Sequence, residues 1–161
     1  MNNPAELIRG AEKSLENAEK IFNTANTIYK TDPTTSYFLF QISIEECSKV
    51  EIFGTPYIGN HYFGFNFDLT KIVKNAISHE NKNRENAYFL DLSDQELEAR
   101  DEFDFKKQRI AFNKLQNDFH EKSNFLKNKS LYVDFDFENK KFFEPKDFIS
   151  RDDVEDIKER A

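Results

Sequence analysis

Charged side chains interrupt the most apolar segment of this chain, and they constrain its fold more than any other feature. The segment Tyr37–Phe53 (YFLFQISIEECSKVEIF) is apolar nearly all round in its first half, which is typical of a helix buried at the centre of a protein. At about 100° per residue, Glu45, Glu46 and Lys49 fall on one helical stripe. The same stripe carries the apolar residues Phe38, Ile42 and Phe53. Because an unpaired buried charge is costly, these three side chains are expected to be paired or used.

Composition favours an all-α fold in a single domain over residues 1–161. The chain has 18 Phe and is 38% hydrophobic, which is too apolar for a disordered protein and sufficient for a substantial core. Only 4 Gly and 4 Pro are present, so few residues are suited to the many turns of an all-β fold.

Charge and cysteine content restrict the setting in which the protein works. The net charge of −7 disfavours strong non-specific binding to nucleic acid, although it permits a local basic groove. The single Cys47 has no partner for an internal disulfide, which fits a reducing compartment. No apolar run approaches the roughly 18 residues of a membrane span, and the N-terminus (MNNPAELIRG) lacks a signal-peptide core. We therefore expect a cytoplasmic protein that does not contact membranes.

Hydrophobic periodicity predicts a four-helix bundle over about residues 4–128. The first helix begins near Pro4 and stops before Pro33, and the second runs from about Thr34 to Phe53 and ends at Gly54. The segment Gly54–Phe67 is predicted to be an aromatic-rich loop.

The second half of the bundle is predicted from capping signals. Asp68 is predicted to cap a third helix that carries His79 at the margin of its apolar side. Ser93 and Glu96 form a capping-box pattern that opens a long fourth helix, ending near Asn128.

The C-terminal part is predicted to be an appendage of the bundle. Alternating apolar and polar residues between about 130 and 145 predict a small β-hairpin. A short terminal helix, capped by Ser150, is expected over about residues 150–161.

The charged residues support three interpretations. Glu45 and Lys49 are four apart and Glu46 and Lys49 three apart, so their side chains meet on one face, and antiparallel packing would bring His79 and Lys82 opposite them. A titratable imidazole, carboxylates to orient it and lysines to stabilise negative charge suit metal-independent cleavage of an RNA phosphodiester. The alternatives are a structural network of ion pairs and, with no HExxH or CxxC spacing in its favour, a metal site. No cofactor is expected.

Other candidate residues give weaker signals. Lys122, Lys127 and Lys129 lie near the end of the predicted fourth helix, where they would contact phosphate or simply form a solvated face near the helix C-terminus. His61 and His120 are interpreted as surface or loop residues. Cys47 is interpreted as an inert buried thiol.

Three ordered motifs resemble the AbiV family of abortive-infection proteins, a branch of the HEPN superfamily of α-helical domains. They are FLFQISIEECSK (Phe38–Lys49), SHENK (Ser78–Lys82) and KNKSLYVDFDFENKKFFEP (Lys127–Pro145). The resemblance covers roughly Ala11 to Pro145 and implies a HEPN-like bundle. It further implies bacterial anti-phage defence through arrest of growth or translation, a homodimer, and action on RNA or the translation machinery. Its signature positions correspond to Glu45, Glu46, Lys49, His79 and Lys82.

The resemblance favours a functional site over a purely structural one. If that site is catalytic, we expect His79 to act as general acid and base, oriented by Glu46, with Lys49 and Lys82 stabilising the phosphorane-like charge. One departure is clear, because many HEPN ribonucleases carry an R-x4–6-H motif, and no Arg precedes any of the three His at that spacing. The rival hypothesis is a non-catalytic module that binds a phage or defence-system protein and whose charged cluster is structural.

Overall fold

The computed structural model describes residues 3–86 and 91–161, which are predominantly helical. The α-helices are α1 (Pro4–Ile28), α2 (Pro33–Phe63), α3 (Leu69–Ile77), α4 (His79–Asn86), α5 (Asp94–Asp101), α6 (Phe105–Lys129) and α7 (Arg151–Arg160). Strands β1 (Asp134–Asp136) and β2 (Lys141–Phe143) form an antiparallel hairpin between α6 and α7, in which Phe135 lies opposite Phe142. The predicted fold class, a HEPN-like bundle with a C-terminal hairpin and a short terminal helix, is confirmed.

Helices α1 and α2 pack closely because small residues line their contact. The hydroxyl of Ser43 donates to the carbonyl oxygen of Ala18 at 2.9 Å, and that of Ser36 donates to the carbonyl oxygen of Ala25 at 2.9 Å. Side chains of this size let two helix backbones approach, and each hydroxyl finds its partner within the contact. Helix α2 also contacts α4 and α6, so it is the central helix of the bundle.

Helix α2 is longer than the sequence predicts, and the prediction of an end at Gly54 followed by a loop was wrong. The helix continues through Gly54 and Pro56 to Phe63, so the aromatic segment is mostly helical. The left-handed conformation that ends the helix occurs at Gly64, whose φ is +67°. Pro56 cannot donate a backbone hydrogen bond within α2, but the helix continues past it to Phe63.

The prediction of a single helix through His79 was also wrong. Asp68 does cap α3, where its carboxylate accepts from the backbone N–H of Thr70 at 3.0 Å. The helix stops at Ser78, which is extended, and the Ser78 hydroxyl then accepts from the backbone N–H of Asn81 at 3.3 Å. His79 is therefore the first residue of a new helix, α4, rather than the end of α3.

The predicted long fourth helix is divided into α5 and α6. The Ser93 capping box is present as predicted, but Phe103 has a φ of +55° and interrupts the helix. Asp104 then starts α6, because its side chain accepts from the backbone N–H of Lys107 at 2.9 Å. Phe is uncommon in this left-handed conformation, so neither the residue type nor the hydrophobic periodicity indicates a break at this position.

The main apolar core joins α7 to the first two helices. Ser150 caps α7 as predicted, and the short helix is held by burial of its apolar side. The buried members of this core are Ala25, Tyr37, Phe40, Ile44, Ile149, Val154 and Ile157. Within the described ranges, no helix has the length and apolar character needed to cross a bilayer.

Candidate functional site

A single buried carboxylate, that of Glu45 on α2, is the centre of the charged cluster. Its side chain is only 1% exposed, and three nitrogen atoms from two other helices contact it. The Nζ of Lys127 donates to Oε1 at 2.8 Å, and the Nζ of Lys82 lies 3.1 Å from Oε2. The Nδ1 of His79 lies 2.5 Å from the same Oε2. Glu45 therefore ties α4 and α6 to the central helix.

The surroundings of Glu45 keep it ionised. Burial by itself would raise the pKa of Glu45, but hydrogen bonds from Lys127 and His79, with the charges of Lys127 and Lys82, bring that pKa below its ordinary value. The two ammonium groups carry two positive charges against one carboxylate, which leaves one positive charge uncompensated within this group. Because both lysine side chains are almost fully buried, that charge is poorly screened by water. The cluster is therefore suited to attract an anion.

His79 is the part of the cluster that is open to solvent. Its side chain is 59% exposed, although its Nδ1 points at the buried carboxylate. An ionised carboxylate only accepts hydrogen bonds, so Nδ1 carries a proton and the Nε2 of the neutral imidazole keeps a lone pair. The ring is thus held in one tautomer with a basic nitrogen facing away from Glu45. This is the arrangement of a carboxylate-oriented general base.

Glu46 and Lys49 form a second, adjacent pair that faces α1. Lys49 contacts one oxygen of Glu46, and the amide of Asn17 donates to the other at 3.0 Å. Burial opposes ionisation of Glu46, but the hydrogen bonds from Lys49 and Asn17 and the positive charge of Lys49 lower its pKa. The carboxylate that holds His79 is therefore Glu45, whereas the sequence pattern predicts Glu46 in that position.

The three lysines predicted to bind phosphate lie in different surroundings. Lys127 is buried in the Glu45 cluster, Lys129 pairs with Asp134 and lies 4.7 Å from the ring centre of Phe148, and Lys122 is exposed. Lys127 is thus a cluster member that sequence reasoning placed elsewhere. The sequence does contain a pattern that indicates burial of Lys127. It lies four residues after Ser123 and eleven after Gln116, and this spacing places the three buried polar residues on one face of α6.

A second polar chain runs beside the cluster and ends at His120. The amide nitrogen of Gln41 donates to Oδ1 of Asn83 at 3.2 Å, and the amide nitrogen of Asn83 lies 3.3 Å from Nδ1 of His120. Gln41 and Asn83 are both fully buried. Within residues 3–86 and 91–161, the side-chain oxygen Oε1 of Gln41 has no hydrogen-bond partner, which is costly at a buried position. His120, interpreted from the sequence as a surface residue, is therefore connected to the interior of the bundle.

A cavity of about 470 Å³ lies against the opposite side of α4. Asn81, Arg84 and Glu85 of that helix face the cavity, whereas Lys82 and Asn83 face Glu45 and Gln41. Glu85 and Glu51 both line the cavity, and burial and then the charge of Glu51 raise the pKa of Glu85. His79 is not among the residues that line this cavity.

Two other candidate chemistries find no support in the site. Burial, with the charges of Glu19 and Glu46, raises the pKa of the Cys47 thiol, which disfavours the reactive thiolate. Among residues 3–86 and 91–161, no group of three or more His, Cys, Asp or Glu side chains is arranged to hold a metal ion.

Comparison with known protein families places this chain. The family model described as AbiV, within the HEPN group, matches residues 6–161, which is nearly the whole chain. Searches of curated proteins and of solved structures returned no match.

Proposed function

This chain belongs to the AbiV family of HEPN domains, a family of abortive-infection defence proteins, and on that premise we propose that it arrests infected cells by cleaving RNA at His79. The observation that carries the proposal is the pairing of a solvent-open imidazole with a buried, ionised Glu45. The cleavage would need no metal ion, because the attacking hydroxyl belongs to the RNA itself.

The proposed reaction is a transesterification within the RNA backbone. Nε2 of His79 accepts the proton of the ribose 2′-hydroxyl, and the 2′-oxygen forms a bond to the adjacent phosphorus. The bond from phosphorus to the 5′-oxygen breaks, and the proton held by His79 passes to that oxygen. The products are a 2′,3′-cyclic phosphate and a 5′-hydroxyl, with no net change in protons.

The lysines supply the charge that the transition state needs. Lys82 and Lys127 flank Glu45, and the positive charge that the carboxylate leaves uncompensated would stabilise the additional negative charge on the phosphoryl oxygens. Lys49 pairs with Glu46, which lies one turn earlier on α2, and adds a third positive side chain next to the cluster. The acidic surface elsewhere would confine RNA to this region, since the net charge of −7 opposes non-specific binding.

Incubation of the purified chain with total RNA, with and without phage extract, tests the proposal. We expect cleavage to yield 2′,3′-cyclic phosphate ends, to persist in EDTA, and to fall about 10²–10⁴-fold in His79→Ala. The melting temperature of that variant should change little, because the ring is largely exposed and Glu45 keeps both lysines.

His61→Ala is the matched control, since His61 is an exposed imidazole on α2. Its ring stacks on that of Tyr57, with 5.6 Å between the two ring centres. This variant should cleave at the wild-type rate. Full phage protection by His79→Ala would end the catalytic proposal. Loss of protection in proportion to a large drop in melting temperature would make the cluster structural.

A second candidate function, binding of a phage or defence-system protein, rests on the aromatic C-terminal end of α2. Tyr62, Phe63 and Phe65 are each more than 60% exposed in that region. Exposed apolar groups of this size commonly mark protein interfaces. If this surface carries the function, Phe63→Ser should lose phage protection while His79→Ala keeps it, and the reverse result favours the enzyme.

A further inference from the structure

We propose that His120 is a second substrate-contacting imidazole of this site, a neutral hydrogen-bond donor whose proton is on Nε2. This inference rests on the proposed RNA cleavage at His79 and adds a residue to it. Sequence spacing does not reveal it, because His120 and His79 are 41 positions apart and neither lies in a motif with the other.

The tautomer of His120 follows from the buried amides behind it. Oδ1 of Asn83 accepts a hydrogen bond from Gln41, so the NH₂ group of Asn83 is the end that faces His120. An NH₂ group donates and does not accept, so Nδ1 of His120 must present its lone pair. The neutral ring therefore carries its proton on Nε2, the nitrogen that faces away from Asn83.

The position of His120 follows from the packing of α4 against α6. Lys127 lies 3.5 Å from Nδ1 of His79, and His120, two turns earlier on α6, contacts Asn83, one turn later on α4. These two contacts run in opposite directions along the helices, so the pair is antiparallel. His79 and Asn83 are one helical turn apart, about 5.4 Å along α4, so the two imidazoles lie at neighbouring turns of the α4–α6 contact.

The two imidazoles have opposite tautomers and hence complementary roles. Nε2 of His79 carries a lone pair that takes up the 2′-hydroxyl proton. The Nε2–H of His120 would instead donate a hydrogen bond to a non-bridging phosphoryl oxygen. That donor keeps its proton throughout, and its hydrogen bond strengthens as negative charge builds on the oxygen. The proton balance of the proposed cleavage is unchanged.

The cost of this arrangement favours a role for the buried amides beyond packing. Gln41 and Asn83 are both fully buried, and the chain they form leaves the side-chain oxygen of Gln41 without a hydrogen-bond partner in the described part of the protein. Apolar residues of similar size would avoid that penalty. What the two amides provide in return is a buried hydrogen-bond partner for Nδ1 of His120.

Nitrogen-15 NMR of the imidazoles in the full chain, at a pH where both rings are neutral, tests the assignment directly. We expect His120 to show a protonated Nε2 and His79 a protonated Nδ1. A protonated Nδ1 on neutral His120, which both amides would permit if they were turned over, would overturn the proposal whether or not the chain cleaves RNA.

Two matched variants test the contact with substrate. The amide of His120→Asn occupies the Nδ1 position and keeps the contact with Asn83 but loses the outward donor, whereas His120→Gln restores an NH₂ near the Nε2 position. We expect His120→Asn to lower kcat about 10²-fold with little change in KM, and His120→Gln to recover most of that loss.

The outcomes separate this inference from the function on which it rests. If the wild-type chain cleaves RNA and His120→Asn cleaves equally fast, only the role of His120 is overturned. A wild-type chain that cleaves no RNA, with or without phage extract, would overturn both.

Discussion

Glu45 and Lys127 are 82 residues apart in the chain, and their side chains meet at 2.8 Å in the interior of the bundle. Lys127 is in the last turn of α6, and Glu45 is near the middle of α2. Their ion pair, with the neighbouring contacts of Lys82 and His79, connects three helices through one carboxylate. Stability and the proposed chemistry therefore depend on the same group.

Removal of Lys127 is expected to destabilise the fold. Lys127→Ala leaves Oε1 of the buried Glu45 without its hydrogen-bond donor while Lys82 still neutralises the carboxylate, and a buried polar group left unsatisfied typically costs about 1–3 kcal/mol. Urea unfolding should show a lower midpoint and a reduced free energy of unfolding. Lys122→Ala, at an exposed position on the same helix, should stay within about 0.5 kcal/mol of wild type. Equal stability of the two variants would contradict the ion pair.

Stability should decline in acid because of Glu45. Its pKa is lower in the folded protein than its ordinary value of 4.5, so its ionised form stabilises the fold fully above that value. The contribution is lost as pH falls below 4.5 and through the folded pKa. Free energies of unfolding measured by urea between pH 7 and pH 3 should fall less steeply for Glu45→Gln than for wild type.

The remaining acid sensitivity of Glu45→Gln is assigned to other carboxylates, including Glu46, whose pKa is also lowered. Glu12→Gln, a substitution at an exposed glutamate of α1, is the control and should keep the wild-type slope. A Glu45→Gln slope as steep as that of wild type would show that the Glu45 carboxylate does not contribute to acid unfolding.

Two glycine substitutions test where α2 ends. Gly54 lies inside the helix and a Cβ there would meet nothing within 4 Å, so Gly54→Ala should stabilise the protein by about 0.5–1 kcal/mol. Gly64→Ala should destabilise it by about 1 kcal/mol, because a Cβ is disfavoured at a φ of +67°. Thermal and urea unfolding provide both values. The opposite signs would place the helix end at Gly54.

We expect the chain to form a homodimer. Several phenylalanines are highly exposed for a single copy: Phe103, Phe105, Phe137 and Phe142. Burial of such side chains against a second copy would remove apolar surface from water. Light scattering at micromolar concentration should give a mass near twice 19.1 kDa. A mass near that of one chain would contradict the expectation.

Local signals in the sequence were sufficient to predict much of the secondary structure. The caps at Asp68, Ser93 and Ser150 all occur as predicted, because a cap depends on side-chain and backbone atoms within three residues. The breaks at Ser78 and Phe103 were not predictable in the same way, since each is a backbone conformation that periodicity does not encode.

The sequence by itself determined that charged groups occupy the buried side of the central helix, because the apolar stripe around Glu45 is a property of consecutive residues. Only the tertiary structure decided which groups meet there. Lys127 rather than Lys49 pairs with Glu45, Glu45 rather than Glu46 orients His79, and His120 is joined to the interior through Asn83. The physical reason is that these contacts depend on the relative placement of α2, α4 and α6, and helical spacing within one segment carries no information about the register between segments.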